Sequence, residues 1–330
     1  MKAIGAALGL TVAAAACHAQ EFPFSDVMND PTISESDCAA IPNAVWASAE
    51  WQERMLGFNV TKSAKGCIRY FVSDKAVGAK TAMFFLSGDV LHYGPNIDKV
   101  NYEKLGSTEA QVALANRLAK TSGMPIVRVA RPGTYGSTGI NHRYRRQYGE
   151  AHLVNAAVTK IKEKLGYDRI SVAGLSGGGG LVAAMLTLGR TDLDCVSIGG
   201  GATNVKKRMQ HYDPLTYSKG MDATGQPLSS VYDPIDHVAK VQPDPKRRIF
   251  IVGDPQDVQV IWSSQVEFAN KLREAGTPNT ILEAQAFDKL HHQVAFQAQW
   301  VAGWCHKGLS DAEMQAKLSA PRKVAGAEAE

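Results

Sequence analysis

The sequence lacks the patterns that mark several classes of protein. It has no C-x-x-C pair and no H-E-x-x-H motif, so it gives no indication of a metal site. It shows no internal repeat, and after its first residues no run reaches the roughly 20 apolar residues that a transmembrane helix needs. We therefore expect neither a bound metal nor a membrane-spanning segment.

The sequence also has little excess of charge of either sign. The net charge is only +4, and Lys and Arg are spread along the chain. The densest basic clusters, "NHRYRRQ" (141–147) and "PDPKRR" (243–248), are short. Because nucleic-acid-binding faces concentrate their positive charge, we expect no nucleic-acid partner.

The N-terminus, "MKAIGAALGLTVAAAACHAQEF", has the layout of an export signal. Lys2 precedes an uncharged apolar run, and the small residues of "CHA" stand before Gln20. We predict a signal peptide over residues 1–19 and a soluble periplasmic or secreted protein. The alternative is a lipoprotein anchored through Cys17, although Ala14 stands where such signals usually have Leu.

Few cysteines remain after this signal, but their number is even: Cys38, Cys67, Cys195 and Cys305. In an oxidising compartment an even number suggests two disulfides, for which three pairings are open. We favour Cys38–Cys67 and Cys195–Cys305. The alternative for Cys195 is a small buried hydrophobic residue with a free thiol.

The chain alternates between short apolar runs and amphipathic segments. Hydrophobic residues make up 45% of the 330 residues, enough for one large core over residues 20–318. Alternating strands and helices predict a mostly parallel sheet with helices on both faces. One helix is expected to start with capping-box spacing at Thr108 and Gln111. Residues 202–245 show no clear period and form a candidate cap, and residues 319–330 are expected to be a disordered tail.

The glycine-rich stretch "VAGLSGGGG" (172–180) lies between a predicted strand and a predicted helix. Gly174, Ser176 and Gly178 fit G-x-S-x-G, a sharp turn that lifts a nucleophilic serine above a sheet. The turn also leaves the Gly177 amide at a helix N-terminus, where it favours a developing negative charge. The alternatives are a phosphate-binding turn, for which the P-loop lysine is missing, and a glycine turn that serves packing alone.

At this point the sequence resembles the α/β-hydrolase superfamily, specifically small exported bacterial serine hydrolases related to the prolyl-oligopeptidase-like group. The resemblance covers roughly residues 66 to 306. Its strongest pieces are "RPGTYGSTG", "VAGLSGGGG", "YDPIDHV", "VGDPQDVQV" and "HHQV". It implies an α/β-hydrolase fold and a triad in the order Ser, Asp, His, each at the carboxyl end of a strand.

Two residues compete for each of the remaining triad positions. For the acid, Asp257 begins "DVQV", which resembles the family's acid turn, whereas Asp254 precedes a proline and is suited to starting a turn. For the base, "HQVA" resembles the run seen in dipeptidyl-peptidase-like members and favours His292 over His291. We favour Asp257 and His292, with Asp254 and His291 as the alternates.

The second oxyanion donor in such enzymes is a backbone N–H in the loop after an early strand. The family usually has His-Gly there, whereas this chain has Ser87, Gly88 and Asp89. A main-chain donor does not need the histidine, so the resemblance points to the Asp89 amide beside that of Gly177. The acidic side chain at this point is a departure from the family pattern.

The resemblance implies a hydrolase that cleaves an ester or amide bond through an acyl-enzyme, with no cofactor and no metal. Its partner would be a small-molecule ester or a peptide. We favour an esterase because the sequence contains no propeller-like domain. A serine peptidase of the prolyl-oligopeptidase type, and a non-catalytic periplasmic binding protein with the same fold, are the alternatives. The sequence indicates no oligomeric state.

Overall fold

The computed structural model describes residues 33–55, 58–89, 107–139 and 141–320. The predicted signal peptide, Cys17 and all but the first two residues of the predicted tail lie outside these ranges. The strands are β1 (Ala44–Met55), β2 (Phe58–Val72), β3 (Met83–Leu86), β4 (Ile126–Val129), β5 (Ile170–Leu175), β6 (Leu193–Gly199), β7 (Arg248–Gly253) and β8 (Thr280–Glu283).

Ten α-helices accompany these strands in the described residues. They are α1 (Glu35–Ala39), α2 (Thr108–Ser122), α3 (Asn141–Tyr144), α4 (Tyr148–Leu165), α5 (Gly177–Thr187), α6 (Val205–Tyr212), α7 (Pro214–Ser218), α8 (Trp262–Glu274), α9 (Ala295–His306) and α10 (Asp311–Ser319). Short 3₁₀ helices cover Asp74–Ala76, Leu228–Ser230 and Pro234–Lys240.

The strands form one eight-stranded sheet in the order β1-β2-β4-β3-β5-β6-β7-β8. The six strands from β4 to β8 in this order run parallel, whereas the β1–β2 hairpin joins the sheet antiparallel. Parallel strands place all their carboxyl ends at one edge, which is where ligands bind in open α/β sheets. The predicted α/β-hydrolase fold class is confirmed.

Helices cover both faces of the sheet, as the apolar strands require. Buried side chains of α4, α5 and α8 pack with the strands on one face in the largest core cluster. On the other face, α2 and α9 cover the centre of the sheet, and α9 with α10 covers the side near β7 and β8. The sheet is therefore buried in a three-layer arrangement.

Two disulfides are present, and they join the pairs favoured from the sequence. Cys38 of α1 is bonded to Cys67 of β2, and both are buried with Ile33 and Ala44. Cys195 of β6 is bonded to Cys305 at the end of α9, which fastens a central strand to the helix that covers it. Disulfides are typical of proteins that fold in an oxidising compartment.

The structure contains elements that the sequence analysis did not predict. The polar stretch around Trp46 and Trp51 is β1, which pairs along its whole length with β2. A tenth helix, α10, begins at a capping box formed by Ser310 and Glu313 and ends at Ser319. Within the described ranges, no helix combines the length and the apolar character needed to cross a membrane.

Candidate active site

Ser176 stands where β5 turns into α5, at the carboxyl edge of the sheet. Its backbone has φ 55° and ψ −120°, a conformation that L-residues rarely adopt. The surrounding backbone holds it there: Ser176 N–H donates to Gly199 O at 2.9 Å, and Ala202 N–H donates to Ser176 O at 3.1 Å. Ser176 is half-buried, whereas the residues before and after it, Leu175 and Gly177, are buried.

The glycines around Ser176 are required by close backbone contacts. A Cβ on Gly174 would lie 2.4 Å from Gly178 O, and a Cβ on Gly178 would lie 2.3 Å from Leu86 O. No side chain fits at such distances, because the opposing atoms belong to the backbone of α5 and β3. The glycine-rich turn therefore brings the start of α5 against β3 and aims the helix N-terminus at the sheet edge.

His292 and Asp257 form a buried pair at the same edge. Asp257 follows β7, His292 follows β8, and His292 Nδ1 lies 2.8 Å from Asp257 Oδ2. The side chains are 3% and 1% exposed. The other carboxylate oxygen of Asp257 accepts hydrogen bonds from the Gln259 and Val260 amides. These bonds orient the carboxylate, and the carboxylate orients the imidazole ring.

Ser176 and His292 meet the same loop after β6. The His292 ring packs against Gly200, where a Cβ would lie 3.2 Å from its Cε1, and the preceding Gly199 binds the Ser176 amide. Among the described residues no hydrogen bond involves His292 Nε2, which is buried. In ligand-free hydrolases the bond between nucleophile and base often tightens only when substrate binds.

The alternates Asp254 and His291 form a second pair. His291 Nδ1 lies 3.0 Å from Asp254 Oδ2, and the His291 side chain is 37% exposed. Asp254 also accepts hydrogen bonds from the Gln256 and Ala286 amides, so it does start a turn. Although burial opposes it, these amides and His291 lower the pKa of Asp254 below its ordinary value. Each histidine candidate thus has its own aspartate, but only Asp257–His292 is sealed from solvent.

Gly177 and Asp89 lie next to the serine, as the oxyanion prediction requires. Gly177 is the first residue of α5, so its N–H lies outside the helical hydrogen-bond ladder. The loop after β3 passes close by, since a Cβ on Gly88 would lie 3.3 Å from Ser176 Cβ. Two backbone segments therefore flank the serine where an oxyanion would form.

Three arginines surround the Asp89 carboxylate. Arg131 Nη1 lies 2.8 Å from Asp89 Oδ1, Arg145 Nε lies 3.3 Å from Oδ2, and Arg146 also forms an ion pair with Oδ2. Although burial would raise it, the charges of Arg146, Arg131 and Arg145 lower the pKa of Asp89 far below its ordinary value. The acidic residue that departs from the family pattern is therefore compensated, and its negative charge does not stand alone beside the oxyanion position.

Sequence reasoning missed this arginine cluster. Arg131, which is 1% exposed, lies in the "RPG" turn after β4 and also pairs with Glu150 of α4 at 2.7 Å. Arg145 and Arg146 come from the short basic cluster "NHRYRRQ". One signal was available: an acidic residue next to a predicted oxyanion site needs a counter-charge, and these were the nearest concentrated cations along the chain.

Two other histidines, His152 and His237, contact aromatic side chains. His152 stacks on Trp51 with ring centroids 5.0 Å apart, and His237 accepts or donates a 3.1 Å hydrogen bond with the Tyr148 hydroxyl. Burial, together with the positive charges of Lys240 and His237, lowers the pKa of His152 to about 4. The cluster joins β1 and α4 to Tyr232 through stacked and edge-on ring contacts. Among the described residues, no group of three or more His, Cys, Asp or Glu side chains could hold a metal ion.

Residues 202–245 lie beyond the carboxyl end of β6 as short helices. Their α6 begins at Asn204, whose side chain caps it, and the Asp233 carboxylate binds the Val205 and Lys206 amides. A small apolar cluster of Ala202, Val205, Met209 and Val231 holds the segment together. This segment therefore forms part of the surroundings of the site.

Comparison with known proteins gives one family and several solved structures. The model of the prolyl oligopeptidase family matches residues 136–307. No curated protein sequence matches the chain significantly.

Three of the similar structures illustrate the range. The uncomplexed acylaminoacyl peptidase of Pyrococcus horikoshii is 13% identical with a TM-score of 0.48, covering 86% of this chain and 43% of the peptidase. The Pyrococcus furiosus esterase Pf2001 is 13% identical with a TM-score of 0.46, covering 90% of this chain and 99% of the esterase. Est1E from Butyrivibrio proteoclasticus is 12% identical with a TM-score of 0.49, covering 81% of this chain and 99% of Est1E. The chain spans less than half of the peptidase and nearly all of the two esterases.

Proposed function

The chain belongs to the prolyl oligopeptidase family, and from that premise we propose that it is a serine hydrolase that cleaves an ester or amide bond through an acyl-enzyme. One observation carries the proposal: a serine in a strained turn at a helix N-terminus shares the sheet edge with a buried Asp257–His292 pair. The strained turn and the desolvation of the buried pair both lower stability, so a role in packing alone does not explain this combination.

In the proposed reaction, Ser176 is the nucleophile and His292 the base. His292 Nε2 takes the hydroxyl proton as Ser176 Oγ attacks the carbonyl carbon, and the same nitrogen then returns the proton to the leaving group. Asp257 holds the imidazole tautomer with its proton on Nδ1 and stabilises the imidazolium. The amides of Gly177 and Asp89 receive the oxyanion, and water attacking the acyl-enzyme releases the acid.

We place esters first among the substrates and keep a peptidase as the alternative. An ester has a better leaving group than an amide, so a serine that cleaves amides also cleaves activated esters. The same triad serves both classes, and pocket residues decide between them. Cleavage of aminoacyl anilides at rates comparable to esters would favour the peptidase.

A fluorophosphonate probe tests the proposal directly. We expect it to label Ser176, and we expect p-nitrophenyl esters of rising chain length to be hydrolysed. Ser176→Ala should lose both properties, whereas Ser229→Ala, which replaces an exposed serine of the 202–245 segment, should keep them. Wild-type protein that neither takes the label nor cleaves any ester or anilide would instead favour the non-catalytic binding protein.

We further propose that the protein is exported and that its first 19 residues are removed. The signal-like N-terminus and the two disulfides support export to an oxidising compartment. Intact-mass analysis of exported protein should give a chain that begins at Gln20. A mature chain beginning at a lipidated Cys17 would replace this proposal with a membrane-anchored lipoprotein.

A further inference from the structure

Arg208 connects the proposed cap to the loop that carries the acid. It lies on α6, and its Nε donates a 2.7 Å hydrogen bond to Gln259 O. The Gln259 amide in turn binds Asp257 Oδ1 at 2.8 Å. The guanidinium carbon of Arg208 lies 5.2 Å from the centroid of the Tyr212 ring. Arg208 therefore lies near the carboxyl edge of the sheet. It is connected through Gln259 to Asp257, the candidate acid.

Arg208 is a half-buried cation without a carboxylate partner. Within the described residues no Asp or Glu oxygen lies within ion-pair distance of it, whereas Arg131, Arg145 and Arg146 all pair with Asp89. Burial, together with the like charges of Arg146 and Arg145, lowers the pKa of Arg208 to about 10, although the charges of Asp89 and Tyr212 oppose this shift. The group stays charged at neutral pH, and its surroundings hold more positive than negative charge.

Arg146 brings a second guanidinium to the N-terminal end of α5, where its charge also acts on Arg208. It lines a small cavity next to Gly177 together with Val205 and Tyr232. Its Nε is buried and has no hydrogen-bond partner among the described residues. One guanidinium thus lies near Gly177 and another lies against the loop that carries Asp257.

We propose that Arg208, with Arg146 beside it, binds a carboxylate that the substrate carries close to its scissile bond. This inference rests on the proposed hydrolase function and names its substrate class, an anionic ester or amide. A guanidinium matches a carboxylate in shape and charge, and such charge-assisted hydrogen bonds are about twice as strong as neutral ones. The charge of Arg208, beside the loop that carries Asp257, would be compensated when an anionic substrate binds.

Matched esters test the inference. Mono-p-nitrophenyl adipate and p-nitrophenyl hexanoate have the same acyl length and differ by a terminal carboxylate. In the second pair, 4-acetoxybenzoate and its methyl ester, the leaving group carries either a carboxylate or its neutral methyl ester. After subtraction of uncatalysed hydrolysis, the wild type should give a kcat/KM at least about tenfold higher for the anionic member of one pair.

Variants assign that preference to Arg208. Arg208→Gln should bring the anionic-to-neutral ratio close to unity, and Arg208→Lys should keep part of it. Lys207→Gln, the matched control on the same helix, removes a cation that pairs with Glu267 and should leave the ratio unchanged.

The outcomes separate the inference from the function on which it rests. Hydrolysis of both members without an anionic preference overturns the carboxylate site but leaves the hydrolase standing. A preference that survives Arg208→Gln, or an equal loss on both members, also overturns it, because Arg208 would then only support the Gln259 carbonyl. Absence of any wild-type hydrolysis contradicts the hydrolase itself.

Discussion

His291 and His292 are neighbours in the chain, and each is paired with an aspartate of the loop after β7. Their surroundings differ: the His292 side chain is 3% exposed and that of His291 is 37% exposed. A carboxylate interacts more strongly with a developing imidazolium when both are buried, whereas water reaches His291 and screens its pair with Asp254. Burial is therefore the physical reason to prefer His292 as the base.

Replacing each histidine separately tests this preference. Because nucleophile, base and acid act as a unit, His292→Ala should lower kcat by about 10⁴-fold or more, close to the effect of Ser176→Ala. His291→Ala should cost less than about tenfold, since its loss leaves the buried pair intact. Steady-state kinetics on one p-nitrophenyl ester measures both. The reverse ranking would transfer the role of base to His291 and Asp254.

His152 makes stability depend on pH. Burial and nearby positive charge lower its pKa from 6.5 to about 4, so the folded protein holds it neutral where the unfolded chain binds a proton. The unfolded state therefore gains stability as pH falls from about 6.5 to about 4. After allowance for partial exposure, we expect a loss of about 1 to 2 kcal/mol in the free energy of unfolding across this window.

Urea unfolding of wild type and His152→Gln at several pH values measures this loss. Asp233 acts in the opposite direction, since burial raises its pKa to about 6, so only the difference between the two proteins isolates His152. His306→Gln, at the exposed end of α9, is the control. A constant wild-type-to-variant difference from pH 4 to pH 7 would contradict the assignment.

At the scale of elements, local sequence patterns placed most helices and parallel strands but missed details of their ends. The capping box predicted at Thr108 and Gln111 is wrong, because Ser107 caps α2 by accepting a hydrogen bond from Ala110 N–H and, among the described residues, no side chain returns a bond to the Ser107 amide. The error reflects two adjacent residues that are both good caps. The turn from β5 to α5, in contrast, formed where its glycines predicted it.

Gly178→Ala tests whether the glycines around Ser176 are required by close packing or by backbone conformation. The added methyl would lie 2.3 Å from Leu86 O, so we expect a loss of about 3 kcal/mol or more. Gly166→Ala is the control: its φ of 74° is strained, but no atom lies within 4 Å of the added carbon, so it should cost only about 1 kcal/mol. Chemical denaturation gives the free energy of unfolding of both variants, and equal losses of this free energy would contradict the packing explanation.

At the scale of the whole molecule, the two disulfides fasten different parts of the sheet. Cys38–Cys67 ties α1 to the antiparallel hairpin and closes a separation of 29 residues. Cys195–Cys305 ties central strand β6 to α9 and closes a separation of 110 residues. A cross-link across a longer loop removes more conformational freedom from the unfolded chain.

Removing the bonds one at a time should therefore have unequal effects. Replacing Cys195 and Cys305 together by Ala should lower the free energy of unfolding by about 2 to 4 kcal/mol, and replacing Cys38 and Cys67 by about 1 kcal/mol less. Guanidinium denaturation without reductant gives both values. Protein purified without reductant and unfolded should show none of these four thiols free, and four reactive thiols would refute the disulfides.

The sequence by itself determined the alternation of parallel strands with covering helices and the position of the glycine turn. These follow from short-range signals: apolar periodicity, caps and glycines act over a few residues. The two candidates for each remaining triad position came from the resemblance to the hydrolase family, which places the acid and the base after strands. The β1 strand escaped because its mixed polar sequence becomes a strand only through pairing with β2.

Tertiary structure alone decided which side chains meet. It paired Asp257 with His292 and Asp254 with His291, and it surrounded Asp89 with arginines from the turn after β4 and from the chain before α4. Residues 131 and 146 lie 42 and 57 positions from Asp89, a separation far beyond the few residues over which helix and strand patterns act. Burial and charge compensation arise from the packing of distant segments, and so the chemistry of this edge became visible only once the chain was folded.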